Sequence, residues 1–280
     1  MNLIDGKKIA AKIRDGVKRE ISSLGITPGL AVILVGVDPA SHLYVSLKER
    51  ASKEAGIHFE KYLFFATEPQ KKIIQKIKDL NADPEINGIL VQLPLPPQFD
   101  EDKIIESINP EKDVDGFHPK NIEKLLSGKK TIVSPLISGI IKLIESTNRE
   151  IKNKKVAILA NSKIFAKPLQ KMLEGSSDVE ITLSPTDPES FVRNTDIIVI
   201  ALGRPNLLKG DMTNKETIII DVGTNHLPDG STTGDVDVES FREKKCWVTP
   251  VPGGVGPMTV AMLLHNILEM AKNQSGISLE

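Results

Sequence analysis

A single cysteine stands among the 280 residues, so no internal disulfide is open to this chain. Cys246 sits beside Trp247 in a short apolar run that reads as a strand, and a buried core thiol is expected there. An excess of either charge is also missing: 36 Lys and Arg stand against 37 Asp and Glu, which leaves no global field to gather nucleic acid or a membrane surface. No apolar run reaches the length of a membrane span, and the opening MNLIDGKKIAAKIRDGV alternates charged with apolar residues instead of building the apolar core of a secretion signal. These absences predict a cytoplasmic protein whose partner is a small molecule, with no nucleic acid and no membrane involved. The five histidines, His42, His58, His118, His226 and His265, have no HExxH or CxxC companion, so each reads as a surface or satisfied histidine and no metal site is expected. A GxSxG elbow and a GxxxxGK[ST] loop are likewise absent, which sets hydrolase triads and P-loop kinases aside.

What is present is a rhythm of strands and helices. Ile9, Ile13, Val17, Ile21 and Leu24 recur at helical spacing, and LAVILVG (30–36), a helix over 41–56 closed by glycine, HFEKYLFF, a helix around 73–80 and GILVQLPLP (88–96) alternate after them. A second series, KVAILA, VEITL, IIVIALG and TIIIDVG, begins near Lys154. Such alternation predicts an α/β protein with largely parallel, doubly wound sheets, and the length exceeds the usual size of one core, so two domains with a cleft are expected. ISGIIKLIESTNREIKNKK reads as a long connecting helix, PMTVAMLLHNILEMAKN as a helix packing back on the first domain, and QSGISLE as a frayed tail.

Tyr44 and Lys48 stand four apart on the helix that follows the first long strand, placing a phenol and an amine on one face near the carboxyl edge of the sheet. A partly desolvated lysine there could move protons while tyrosine fixes the reacting atom; a plain surface pair is the alternative. Gln92 follows the strand Ile89–Val91 at the edge where open α/β folds gather ligands. KDVDG offers Asp113 and Asp115, which point opposite ways if the segment is extended, with turn capping as the alternative for both. PGGVGPMTV (252–260) sets three glycines before a helix, where backbone could approach a ligand, although an ordinary turn would look the same.

In order along the chain stand VGVDPASHLYVSLKERASKEAGI, VQLPLP, PEKDVDGFHPKN, GRPNLLKGD, IDVGTNHLPDGSTTGDVD and TPVPGGVGPMTVAML. Together these segments resemble the signature regions of the bifunctional methylenetetrahydrofolate dehydrogenase/methenyltetrahydrofolate cyclohydrolase family. The resemblance implies an N-terminal α/β folate-binding catalytic domain over 1–145, with the helix 257–280 returning to it, and a Rossmann-like NAD(P)-binding domain over 146–256. It implies that Lys48 is the central group of the cyclohydrolase step, with Tyr44 its neighbour over the folate. Gln92 would hydrogen-bond the lysine and tune its proton state, and Asp115 would accept hydrogen bonds from the pterin ring. Val91, Leu93 and the loop residues Pro252, Gly253, Gly254, Val255, Gly256, Pro257, Met258, Thr259 and Val260 are implied to contact the tetrahydrofolate substrate. Ala160, Asn161, Ser162, Ser184 and Thr224 are implied to meet NADP, and a homodimer is implied as the assembly.

The departures from the family pattern cluster in the nucleotide half. GRSxxVGxP is ANSKIFAKP here, so Ala160 and Ala166 replace glycines and Asn161 replaces the arginine that would pair with a 2′-phosphate. PCTPxG is SPLISG, with Leu136 in the place of threonine and Gly139 retained, and the HSxT turn is LSPT, keeping Ser184 and Thr186. Two alternatives follow. The dinucleotide, NADP or NAD, binds in an altered way with Lys163 or Lys167 near its phosphates, or the chain is a cyclohydrolase with weak or lost dehydrogenase activity. A non-catalytic folate-binding protein and an unrelated dinucleotide-dependent dehydrogenase are the readings of other classes. Intact Tyr44, Lys48, Gln92 and Asp115 weigh against the first, and the altered glycine loop against the second.

Overall fold

The stripe from Ile9 to Leu24 is a helix, α1 (Gly6–Leu24), preceded by a two-residue strand, β1 (Asn2–Leu3). The computed structural model describes residues 1–175, 177–214 and 216–276. All seven residues of β2 (Gly29–Val35) are buried, as a central parallel strand covered on both faces must be. Helix α2 (Pro39–Ala55) starts where the Asp38 carboxylate accepts from the Ser41 amide at 2.8 Å. It stops at Gly56, whose φ of 85° is open to glycine without a Cβ clash. Strand β3 (His58–Phe64), helix α3 (Gln70–Ala82) and strand β4 (Gly88–Val91) complete a parallel sheet ordered β3-β2-β4.

Alternate residues of β2 serve two cores, the consequence of a side-chain period of two. Leu30, Val32 and Leu34 pack with Val17, Ile21 and Val45, whereas Ala31, Ile33 and Val35 pack with Ile73, Ile77 and Leu80. Short helices α4 (Glu101–Glu106) and α5 (Pro119–Leu126) follow, then α6 (Pro135–Glu145). The expected long connecting helix ends with α6. Ser146 and Thr147 turn their hydroxyls back onto the carbonyls of Leu143 and Ile144, and Asn148 takes a φ of 53°, which no helix continues.

The second series comprises β5 (Lys154–Ala160), α7 (Lys163–Leu173), β6 (Ser177–Leu183), α8 (Glu189–Val192), β7 (Ile197–Ala201) and β8 (Ile218–Asp221). A small antiparallel pair, β9 (Asn225–His226) with β10 (Thr232–Thr233), precedes β11 (Trp247–Val248). The main sheet is parallel in the order β1-β11-β8-β7-β5-β6, and Cys246 is fully buried in its core. The order of strand addition reverses about β5, with β6 on one side and β7 on the other, and such a switch point is where open sheets bind ligands.

The last helix, α9 (Val255–Gln274), buries Leu263, Leu264, Ile267 and Leu268 in the cluster that contains Leu30 and Val32. Each such side chain contributes about 1.5–3 kcal/mol by leaving water. Asn266 Nδ2 donates to the carbonyls of Val114 and Val133, both at 3.0 Å, and the buried Lys272 ammonium meets Glu20 at 2.7 Å and Glu269 at 2.9 Å. The helix therefore returns to the N-terminal unit. Gly88 admits it, because a Cβ there would strike Ile267. Gln274, read as part of the tail, is still helical and bonds to Asn87 and Glu111; 277–280 lie outside the described residues.

The chain forms two compact units, Met1–Ala10 with Leu136–Thr259, and Ala11–Pro135 with Val260–Glu280. These limits differ from the division drawn at 145/146. Strand β1 pairs in register with β11, Asn2 opposite Trp247, so the first residues belong with the second series.

Candidate active site

Strand β2 has β4 on one side and β3 on the other, so the carboxyl ends of β2 and β4 form the switch point of the N-terminal unit. Helix α2, which leaves β2, carries Lys48; Gln92 directly follows β4, its amide extending the ladder to the Ile33 carbonyl at 2.9 Å. Lys48 Nζ donates to Gln92 Oε1 at 3.0 Å, while Gln92 Nε2 donates to the Leu93 carbonyl at 2.7 Å and so fixes the amide's orientation. Val91 is buried as the last residue of β4, and the Leu93–Pro94 peptide is cis. Burial lowers the pKa of Lys48, opposed by the charge of Asp115. Burial likewise pushes Asp115 up to about 6, with Lys48 pulling it down and Asp113 adding to the rise. The lysine and this carboxylate are thus electrostatic neighbours. Among the described residues Asp115 accepts no hydrogen bond, so both of its oxygens are available to a ligand.

Asp113 is spent differently. It is buried and accepts from the His118 amide at 2.8 Å and from Asn121 Nδ2 at 2.9 Å, closing the turn that presents Asp115. KDVDG is therefore a turn, not an extended segment, and Gly116 at φ 68° passes close to the Ser134 amide. His118 is the buried N-cap of α5, its Nδ1 accepting from the Lys120 amide at 3.1 Å. Tyr44 lies one turn before Lys48 on α2 and is 43% exposed.

The segment 252–260 is only half loop, since α9 begins at Val255. Gly253, Gly254, Val255 and Met258 are buried, Pro252 and Gly256 are exposed, and Pro257, Thr259 and Val260 are half-buried. The Lys7 amide donates to the Gly253 carbonyl at 3.0 Å, and Met258 covers Gly139. Pro252 to Thr259 belong to the unit of the larger sheet, and Val260 to the unit of Lys48.

At the switch point of the larger sheet, β5 ends in Ala160 and an exposed turn, Asn161 to Ile164, opens α7 with Ser162 as its cap. A helix N-terminus behind a turn at this place suits the pyrophosphate of a dinucleotide, so the residues fit such a cofactor. Ala160 and Ala166 are both 0% exposed, so their methyls are covered by protein and do not line the turn. The glycine-to-alanine replacements therefore add no side chain to the face of the turn. Asn161 Nδ2 donates to the Leu202 carbonyl at 2.7 Å, and its Oδ1 accepts from Ser184 Oγ at 3.1 Å. Lys163, Lys167 and Thr224 are exposed.

Two buried carboxylates, which sequence reasoning passed over, organise the neighbouring loops. Asp235 accepts from the amides of Leu202, Gly203 and Arg204 at 2.6, 3.0 and 2.8 Å and from Asn225 Nδ2 at 2.9 Å. Asp221 accepts from the amides of Gly223, Asp235 and Val236 at 2.9, 3.0 and 2.9 Å, and burial with the nearby Asp235 charge pushes it up to about 7 against those bonds. The available signal was a glycine beside each acid. A Cβ on Gly223 would strike Asp235, and one on Gly234 would strike Asp221.

A half-buried lysine–carboxylamide–carboxylate group on one sheet and a dinucleotide-type turn on another define a two-unit α/β enzyme. The family model described as "Tetrahydrofolate dehydrogenase/cyclohydrolase, catalytic domain" matches residues 4–115, and "Tetrahydrofolate dehydrogenase/cyclohydrolase, NAD(P)-binding domain" matches 135–275. The "Bifunctional protein FolD" of Nautilia profundicola is 43% identical over 278 residues, covering 98% of each chain. The crystal structure of the bifunctional FolD dehydrogenase/cyclohydrolase from Campylobacter jejuni superposes with a TM-score of 0.93 at 41% identity, over 98% of this chain and 99% of that one. A Trypanosoma brucei relative, solved with NADP cofactor and inhibitor, superposes with a TM-score of 0.92 at 33% identity over 98% of each chain. The chain belongs to the tetrahydrofolate dehydrogenase/cyclohydrolase family and carries both of its domains.

Proposed function

We propose that this protein oxidises 5,10-methylenetetrahydrofolate to 5,10-methenyltetrahydrofolate with NADP and hydrolyses the product to 10-formyltetrahydrofolate. The observation that carries the reading is the Lys48–Gln92 hydrogen bond beside a carboxylate that no donor among the described residues occupies. NADP, when bound, accepts the hydride of the first reaction. In the second, water adds to the amidinium carbon and gives up a proton, then the bond from that carbon to the neighbouring nitrogen opens as the remaining hydroxyl proton leaves to form the formyl carbonyl, and the freed nitrogen takes up one proton while the other is released. Lys48 holds and moves these protons, because desolvation brings its ammonium closer to neutrality and Gln92 aims it without adding charge. Asp115 accepts from the pterin edge, and Tyr44 lies along the folate. Val91, Leu93 and Pro252 to Val260 complete the folate contacts, and Asn161, Ser162, Ser184 and Thr224 those to NADP, with Ala160 packed beneath the turn they form. Folate chemistry is assigned to 1–145 with the returning helix, and nucleotide binding to 146–256.

A cytoplasmic homodimer belongs to the same reading. Strand β3 is an edge of its sheet, with Leu63 58% and nearby Phe65 72% exposed, a surface suited to a second copy. Among the described residues no helix is long and apolar enough to cross a membrane. Separate assays of methenyltetrahydrofolate hydrolysis and of NADP-dependent oxidation of methylenetetrahydrofolate test the function. Both activities are expected, and the absence of hydrolysis would overturn it.

A further inference from the structure

The loop after β7 carries an arginine that the reading above leaves unused. Arg204 belongs to that loop, yet its Nη1 donates to the Pro185 carbonyl, 2.6 Å away, on the turn after β6. Strand β5 lies between β7 and β6, so the side chain links the two loops that flank the nucleotide turn. It is held there from behind. Asp235, with no exposed surface, accepts the amides of Leu202, Gly203 and Arg204 and locks the backbone from which the side chain leaves. Asn161, where the family pattern has arginine, commits its amide group to Leu202 and Ser184 and ties the same loops together.

Among the described residues the Arg204 guanidinium has no carboxylate partner, and the one carbonyl leaves most of its N–H donors free. In a strand–helix–strand dinucleotide unit the end of the second strand meets the ribose 2′ position. An acid there selects the free hydroxyl, and a nearby arginine accommodates a 2′-phosphate. β5, α7 and β6 form that unit here. Leu183 to Thr186 contain no acid, and the carboxylate of Asp187 accepts the Glu189 amide at 2.9 Å at the start of α8. We infer that Arg204 is the residue of this chain that distinguishes a 2′-phosphate from a 2′-hydroxyl on the bound dinucleotide. The phosphate reader is thus supplied by the loop after β7 and not by the turn after β5. This inference rests on the nucleotide half of the proposed function.

Calorimetric titration of the full chain with NADP, NAD, 2′,5′-ADP and ADP tests it, with Arg204→Gln and Arg204→Lys as variants and melting temperature as the fold control. The native chain is expected to favour NADP over NAD and 2′,5′-ADP over ADP. Arg204→Gln should lose about tenfold or more in affinity for the two phosphorylated ligands, the effect of removing a charge-assisted hydrogen bond. It should leave NAD and ADP within about twofold, as a side chain pointing away from them would. Arg204→Lys should fall between. An equal loss for all four ligands would make Arg204 a structural residue and overturn the inference, as would an NADP preference that survives in Arg204→Gln. Equal binding of NADP and NAD by the native chain would overturn it while leaving the proposed function standing. No binding of any nucleotide would overturn the dehydrogenase half as well.

Discussion

Asp115 is a half-buried carboxylate beside the lysine of the smaller sheet, and Asp235 is a fully buried one under the loops of the larger. The first accepts no hydrogen bond among the described residues, and the second accepts four. A buried acid whose lone pairs are filled by backbone amides is architecture, because removing it orphans donors that water cannot reach. A half-buried acid beside a lysine, with no hydrogen-bond donor on it among the described residues, can be removed without orphaning any buried group and keeps its lone pairs for a ligand. The difference in hydrogen bonding marks Asp235 as structural and leaves Asp115 as the acid proposed to bind the pterin.

The sharpest way to break it is through the lysine. Lys48→Met should lower methenyltetrahydrofolate hydrolysis by about 10²–10⁴-fold, the range for loss of a general acid–base group, while NADP binding and melting temperature hold. Near-normal hydrolysis would remove the lysine from the mechanism. Asp235→Ala should destabilise the fold by about 3 kcal/mol or more, since several buried amides lose their acceptor at once, and a denaturant midpoint reads it directly. Asp115→Ala should do the opposite. Its stability is expected to stay within about 0.5 kcal/mol or to rise, while folate affinity drops about tenfold or more. A large loss of stability in Asp115→Ala would collapse the distinction between the two acids.

The smallest effect is in pH. Asp115 is raised from 3.8 to about 6 in the folded chain, so the native state binds the extra proton between those values. Its burial therefore costs nothing below that window, costs progressively more as pH rises through it, and costs the full amount above about 6. Folate binding that needs the carboxylate should weaken as pH falls through about 6. Lys48 holds this pKa down, so in Lys48→Met the midpoint of folate binding should move to higher pH. A shift to lower pH would show that the two groups do not interact. Asp221, raised from 3.8 to about 7, adds a parallel decline in stability between those values, which a series of melting temperatures would show.

Most elements were legible because their periods were. The apolar run LAVILVG (30–36) reads as the strand β2, and Gly56 marks the end of α2, whose start at Pro39, capped by Asp38, lies two residues before the expected 41. Helix α6 was read too long because its stop is made by Ser146 and Thr147 bonding back to their own helix, and such residues look neutral in a pattern of apolar spacing. The division at 145/146 counts Asn2 and Leu3 with the first series, whereas β1 pairs with β11. Two residues carry no periodicity, and their place is set by the register with β11.

For the site, the sequence by itself determined which groups are available and on which elements: Lys48 on the helix after β2, Gln92 after β4, and two acids in KDVDG. The tertiary structure decided what each of them is free to do. Asp113 and Asp115 are two residues apart and chemically identical, yet one is filled by His118 and Asn121 and the other accepts no hydrogen bond among the described residues. Asn161 was read as a lost arginine, and the fold shows it joining two loops while Arg204 reaches the turn after β6 from a distant part of the chain. Periodicity reports local backbone and burial, whereas the filling of a lone pair depends on donors that folding brings from elsewhere in the chain.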